Sequence, residues 1–152
     1  RPSNVDDFGQ LMDLLTLISQ SVSGKPVIFP VHPRTQASIG NKNIPEVIHC
    51  VEPLSYLEFN YLVTHACGVV TDSGGITEET TVLNVPCITL RDSTERPETI
   101  SEGTNELVGS DKSKISKALE KMAQGKWKEG KVPALWDGNA STRIVEKLLD
   151  LA

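Results

Sequence analysis

The chain lacks most of the features that commit a sequence to a narrow class. Cysteine occurs only three times in 152 residues, at Cys50, Cys67 and Cys87. That spacing fits no zinc or Cys-x-x-Cys pattern, and an odd count argues against a disulfide framework. Each cysteine lies in or beside an apolar run, so each is expected to be a small core residue. Positive charge is not in excess: the formal net charge is −5, which argues against general binding to nucleic acid or anionic membranes. No apolar run approaches the roughly 20 residues of a membrane span. No basic-then-apolar leader is visible either, so a reducing cytoplasm is the expected compartment. Histidine is also scarce, and His32, His49 and His65 have no partners at metal-ligand or Ser-His-Asp spacing. A metal or other cofactor is not expected.

What is present is an alternation. Short runs rich in Val and Ile, bounded by turn residues, occur at 26–31, 46–51, 66–70 and 86–90, with a weaker fifth at 104–108. Short continuous runs of this kind suit strands buried on both faces. Between them lie helical patterns at 6–21, 55–65, 76–83 and 111–122, and a closing one at 141–151. Leu11, Leu14, Leu15 and Ile18 share one stripe of the first, and Asp6 or Asp7 suits its positive N-terminal end. Ile144, Val145, Leu148 and Leu149 mark the last. The stretch 124–139 has no period and reads as surface loop. The expected fold is α/β, a Rossmann-like parallel sheet with helices on both faces, in one domain over 1–152.

The run GVVTDSGGITEET, residues 68–80, carries the main chemical signal. A strand ends, two glycines turn the chain, and a helix begins. Ligands of open parallel sheets sit beyond the carboxyl ends of strands. Free N–H groups and the helix dipole favour an anion there. Ser73 adds a hydroxyl, and Gly74 and Gly75 let backbone approach an oxygen closely. A plain turn with Ser73 as N-cap is the alternative. Glu78 and Glu79 diverge by about 100° around the helix, so at most one should face the ligand. A carboxylate one turn into such a helix suits a ribose, since it accepts from two hydroxyls.

Three other stretches end strands or follow them. RDSTERPE places Arg91 and Arg96 beyond the strand at 86–90, and Pro97 restricts the backbone at Arg96. An arginine there can grip a diphosphate with two parallel bonds, or form a surface pair with Glu95 or Glu98. PVHPR brings His32 to the same edge of the sheet, where a structural role is the alternative. In EPLSYLEFNYL, Phe59 breaks from the face of Leu57 and Tyr61, leaving base stacking or core packing open.

Taken together, TDSGGITEET, RDSTERPETISEGTNELVG and DGNASTRI closely resemble the carboxy-terminal half of the non-hydrolysing UDP-N-acetylglucosamine 2-epimerases, and the resemblance runs from Arg1 to the last helix. It implies a two-domain glycosyltransferase-B-like architecture in which this half holds most of the UDP. The implied reaction interconverts UDP-GlcNAc and UDP-ManNAc through elimination of UDP to a 2-acetamidoglucal. The alternatives are a hydrolysing 2-epimerase, a related UDP-sugar glycosyltransferase, or a stand-alone UDP-sugar-binding module.

The resemblance assigns Ser73, Gly74 and Gly75 to the diphosphate, Glu79 to the ribose and Arg96 to phosphate. Phe59 would stack on uracil, with backbone near Leu54 at the base edge. His32 and Arg1 are candidates for an allosteric or ligand contact. Arg1 looks like the arginine of a Thr-x-His-Arg stretch, and Pro2-Ser3-Asn4 departs from the family's Arg-Glu-Asn. The acids implicated in proton chemistry belong to an amino-terminal domain, so no catalytic residue is expected within 1–152 and this part alone should not epimerise. The full-length protein is expected to be a homodimer. The family's strand before Arg1 is central, which leaves three outcomes here: a gap in the sheet, closure of it, or a strand from another copy.

Overall fold

The computed structural model describes residues 8–40 and 43–151. The elements alternate along the chain: α1 (Phe8–Ser21), β1 (Val27–Pro30), α2 (Pro33–Ile39), β2 (Ile48–Val51), α3 (Tyr56–His65), β3 (Val69–Thr71), α4 (Gly74–Val82), β4 (Cys87–Thr89), α5 (Glu98–Ser101), β5 (Asn105–Leu107), α6 (Lys112–Ala123) and α7 (Ala140–Leu149), with the short helices α2 and α5 added to those expected. All strand pairings are parallel, as short buried strands with helical crossovers require. The proposed helix acids Asp6 and Asp7, and Arg1, lie outside the described residues.

The strands form two sheets, not one. β1 pairs with β2, and β3, β4 and β5 form a second sheet in that order. No ladder joins β1 to β3 among the described residues. Between them lies an apolar hollow of about 630 Å³, bordered by Val27, Phe29, Val69, Val70, Phe59 and Met122 among others. Within the described residues the two ladders do not close up into one sheet.

The core is divided in the same way. Leu11, Leu15, Val31, Ile39 and Ile48 form one buried cluster under the first sheet. Ile18, Ile88, Val108, Ile115, Leu119 and Met122 form the other. α1 serves both, because its stripe runs from Leu11 and Leu15 at one end to Ile18 at the other. Burial of such a side chain contributes about 1.5–3 kcal/mol, so α1 is the main apolar link between the halves.

The second sheet has a polar interior. Thr77, Thr80, Thr81, Thr89, Thr99, Thr104 and Asn105 are all buried. On α4 the threonine hydroxyls donate to carbonyls of their own helix: Thr77 to Gly74 (2.6 Å), Thr80 to Ile76 (2.9 Å) and Thr81 to Thr77 (2.8 Å). Satisfied in this way, they can be buried without outside partners. Between strands, Thr89 Oγ1 donates to Asn105 Oδ1 (2.6 Å) and Asn105 Nδ2 donates to Thr99 Oγ1 (3.1 Å).

Several expectations change. Only Cys87 is buried, and burial pushes its thiol pKa up; Cys50 and Cys67 are exposed. An apolar neighbourhood in sequence did not bury them, because Cys50 lies on a two-stranded sheet and Cys67 precedes β3. The stripe of α7 is present, but Ile144, Val145, Leu148 and Leu149 are all exposed. α7 is tied down at its start, where Arg143 grips Asp137 through two nitrogens (2.9 Å each) and the Leu135 carbonyl (3.0 Å). Within the irregular stretch 124–139, Trp127 is half-buried: its Nε1 donates to the Thr104 carbonyl (2.6 Å), and the Lys121 ammonium lies over its ring.

Candidate functional site

The glycine turn lies where the sequence places it. β3 ends at Thr71, and α4 starts at Gly74 with Ser73 in the N-cap position. The Ser73 side chain makes no capping bond; its backbone N–H donates to Thr71 Oγ1 (3.0 Å). The plain-cap alternative therefore lacks its defining hydrogen bond. The first N–H groups of α4 have no partner inside the helix, as at any helix start.

Neither glycine is required by the fold itself. Their φ angles are not positive. A Cβ on Gly75 would meet only Ser73 Oγ, at 4.0 Å. A Cβ on Gly74 would meet the Arg91 guanidinium at 3.4 Å and a Glu95 carboxylate oxygen at 3.8 Å, which is ordinary contact. Glycine inside a helix costs about 1 kcal/mol relative to alanine. Two in the first turn, unforced by backbone or neighbours, leave the amide edge bare for close approach from outside.

Along the flank of α4 lies a shallow hollow of about 540 Å³. It is bordered by Glu78, Glu79, Arg96, Tyr56, Asn60 and Trp136, among others. Glu79 and Arg96 thus share a depression, as expected. Glu78 also borders it, so the two adjacent acids do not divide into one facing and one turned away; the depression is wide enough to meet both. Arg96 is ion-paired with Glu78, which raises its pKa further. The expected surface pair of Arg96 is therefore with Glu78 rather than with Glu95 or Glu98. Both partners are substantially exposed, and such pairs exchange readily with a competing anion.

Arg91 behaves differently. Its side chain is only 8% exposed, and it grips Glu95 through both terminal nitrogens, at 3.0 and 2.7 Å. Sequence order alone does not separate the two arginines. The structure makes Arg91 the buried one beside Gly74 and Arg96 the exposed one beside Glu78.

Phe59 and Leu54 lie elsewhere. On α3, Leu57 and Tyr61 face solvent, while Phe59 is half-buried and borders the inter-sheet hollow. Leu54 borders a smaller depression with Leu57, Glu58, Tyr61 and Leu62. Ser55 caps α3 in a reciprocal box with Glu58 and holds that carboxyl below its usual range. His32 is exposed just beyond the carboxyl end of β1. Its position at the sheet edge is as expected, but it shares no hollow with Glu79 and Arg96 among the described residues. Tyr56, Asn60 and Trp136 were missed by sequence reasoning. Trp136 carried no signal, because it sits in a stretch without period. Among the described residues no cluster of His, Cys, Asp and Glu could hold a metal, and no helix is long and apolar enough to cross a membrane.

A family model described as UDP-N-acetylglucosamine 2-epimerase matches residues 1–149. The chain belongs to the UDP-N-acetylglucosamine 2-epimerase family. Its relatives include the UDP-N-acetylglucosamine 2-epimerases of Methanocaldococcus jannaschii and Methanococcus maripaludis. These are 40% and 39% identical over 97% and 95% of this chain. A crystal structure of the M. jannaschii enzyme in complex with UDP-GlcNAc and UDP superposes with a TM-score of 0.76 at 39% identity, over 99% of this chain. The chain spans 42% and 41% of the two relatives' lengths and 43% of the crystallised chain. Its fold is thus that of the carboxy-terminal half of these glycosyltransferase-B-type 2-epimerases.

Proposed function

We propose that residues 1–152 form the UDP-binding domain of a UDP-N-acetylglucosamine 2-epimerase, which interconverts UDP-GlcNAc and UDP-ManNAc in the whole protein. The observation that carries this reading is the start of α4: two glycines that nothing in the fold requires, and an N-cap serine that does not cap. Ser73, Gly74 and Gly75 receive the diphosphate on free N–H groups and a hydroxyl, where the helix dipole favours negative charge. Glu79, one turn on, accepts from the ribose hydroxyls. Arg96 exchanges Glu78 for phosphate. Phe59 and the backbone at Leu54 take the uracil, and His32 and Arg1 are held to be ligand or allosteric contacts.

This division assigns binding to these residues and proton transfer to carboxylates outside 1–152. Elimination of UDP from C1 needs a base at C2 and stabilisation of the departing diphosphate. The site described supplies the second: donors and positive charge placed where negative charge builds up on the leaving group. No metal or organic cofactor enters this scheme. In the whole protein we place the reaction in the cytoplasm and in a homodimer, as the family resemblance implies.

Isothermal titration of the folded chain with UDP tests the reading. Binding is expected in the micromolar to millimolar range, and Ser73→Ala, Glu79→Ala and Arg96→Ala should each weaken it about tenfold, the loss of one hydrogen bond to a charged group. No heat at millimolar UDP, or three variants with wild-type affinity, would reject it. For the full-length protein the product decides the reaction: UDP-ManNAc supports epimerisation, whereas free ManNAc with UDP marks the hydrolysing alternative.

A further inference from the structure

We infer that Arg91 is a positioning residue for the phosphate end of this site, acting from beneath the glycine turn. The inference rests on the reading of Ser73–Gly75 as the diphosphate subsite. Three observations carry it. The Arg91 side chain is more than nine-tenths buried, although arginine is seldom buried without a task. Its guanidinium lies against Gly74, 3.4 Å from where a Cβ would stand. Its Nε is buried and has no hydrogen-bond partner among the described residues.

A buried guanidinium with an unused donor is costly unless its charge is used. Its ion-pair partner Glu95 is 68% exposed, so solvent screens that pairing. The positive charge is thus incompletely balanced, at the N-terminal end of a helix that already favours anions. The bidentate grip on Glu95 has a second effect. Glu95 is the residue before Arg96, so the grip fixes the 91–97 loop against α4. The same loop is held from its other side, where Thr99 Oγ1 donates to the Arg96 carbonyl (2.8 Å). Arg91 therefore sets both the potential at the glycine turn and the place from which Arg96 reaches. It contacts neither sugar nor base on this account.

The distinguishing measurement compares UDP with uridine, which lacks the phosphates, in NMR titrations of the whole chain. Arg91→Met should weaken UDP by at least tenfold and leave uridine unchanged. Arg91→Lys keeps the charge but not the two parallel bonds, and should recover part of the loss. Equal losses for both ligands would mark Arg91 as a fold residue only and overturn the inference, as would an unaltered UDP affinity in Arg91→Met. If Arg91→Met does not fold, Arg91→Lys decides by the same comparison: it must lower UDP affinity selectively. Wild-type chain that binds uridine and UDP equally would instead overturn the diphosphate subsite itself, and this inference with it.

Discussion

Asn105→Ala should remove about 3 kcal/mol of stability, seen as a lower urea midpoint with an unchanged slope. Asn105 is fully buried. It accepts from Thr89 and donates to Thr99, joining β4, β5 and the start of α5 in one chain of bonds. Truncation orphans the Thr89 hydroxyl, takes a donor from Thr99 and leaves a void. An unsatisfied buried group costs about 1–3 kcal/mol, and the void adds to that. Replacing Thr89 by Val in the same background should restore part of the loss, because it removes the orphan. A loss under about 1 kcal/mol in Asn105→Ala would show that the network is not cooperative. The chain ends on the Arg96 carbonyl, so UDP affinity should fall along with stability.

Gly75→Asp should move stability and binding in opposite directions. The site of a Cβ on Gly75 is open apart from Ser73 Oγ at 4.0 Å. Asp is a better helix residue than Gly by a few tenths of a kcal/mol, and an acid in the first turn gains about 0.3–1 kcal/mol from the dipole. The melting temperature should therefore hold or rise. UDP affinity should fall about 100-fold or more, since two like charges about 4 Å apart repel by up to roughly 4 kcal/mol near a protein surface. A variant that melts lower and binds UDP normally would refute both the helix argument and the phosphate assignment. The opposed signs match a site where binding is retained at the expense of local stability.

The alternation of β-branched runs and helical stripes made the parallel α/β fold legible, and even the weak run at 104–108 proved to be β5. α2 was not legible. PRTQASI opens on proline and offers one large apolar residue, Ile39, so no period forms; tertiary burial of Thr35 and Ile39 decides it. Trp127 was invisible for a similar reason, since a side chain held by one carbonyl and one ammonium leaves no repeat. The candidate site was legible in position but not in pairing. Spacing located Arg91 and Arg96 beyond β4, but which one is buried depends on how the 91–97 loop folds back, and that is a three-dimensional fact. At Phe59 the pattern was legible but the packed side was not. Its break from the Leu57–Tyr61 face was real, but the packed side of α3 is the one that carries Phe59, and Leu57 and Tyr61 are the exposed pair.

The division of the strands into two ladders bears on how the chain opens. Cooperative units of a protein are bounded by where contacts thin out. Here the thin boundary is the hollow between β1 and β3, crossed chiefly by one amphipathic helix. Native-state amide exchange should resolve two free energies of opening: a lower one shared by the amides of β1 and β2, and a higher one for β4, whose neighbours pair on both edges. A filler for the hollow should merge the two values into one, and a single value without any filler would mean that α1 alone couples the halves.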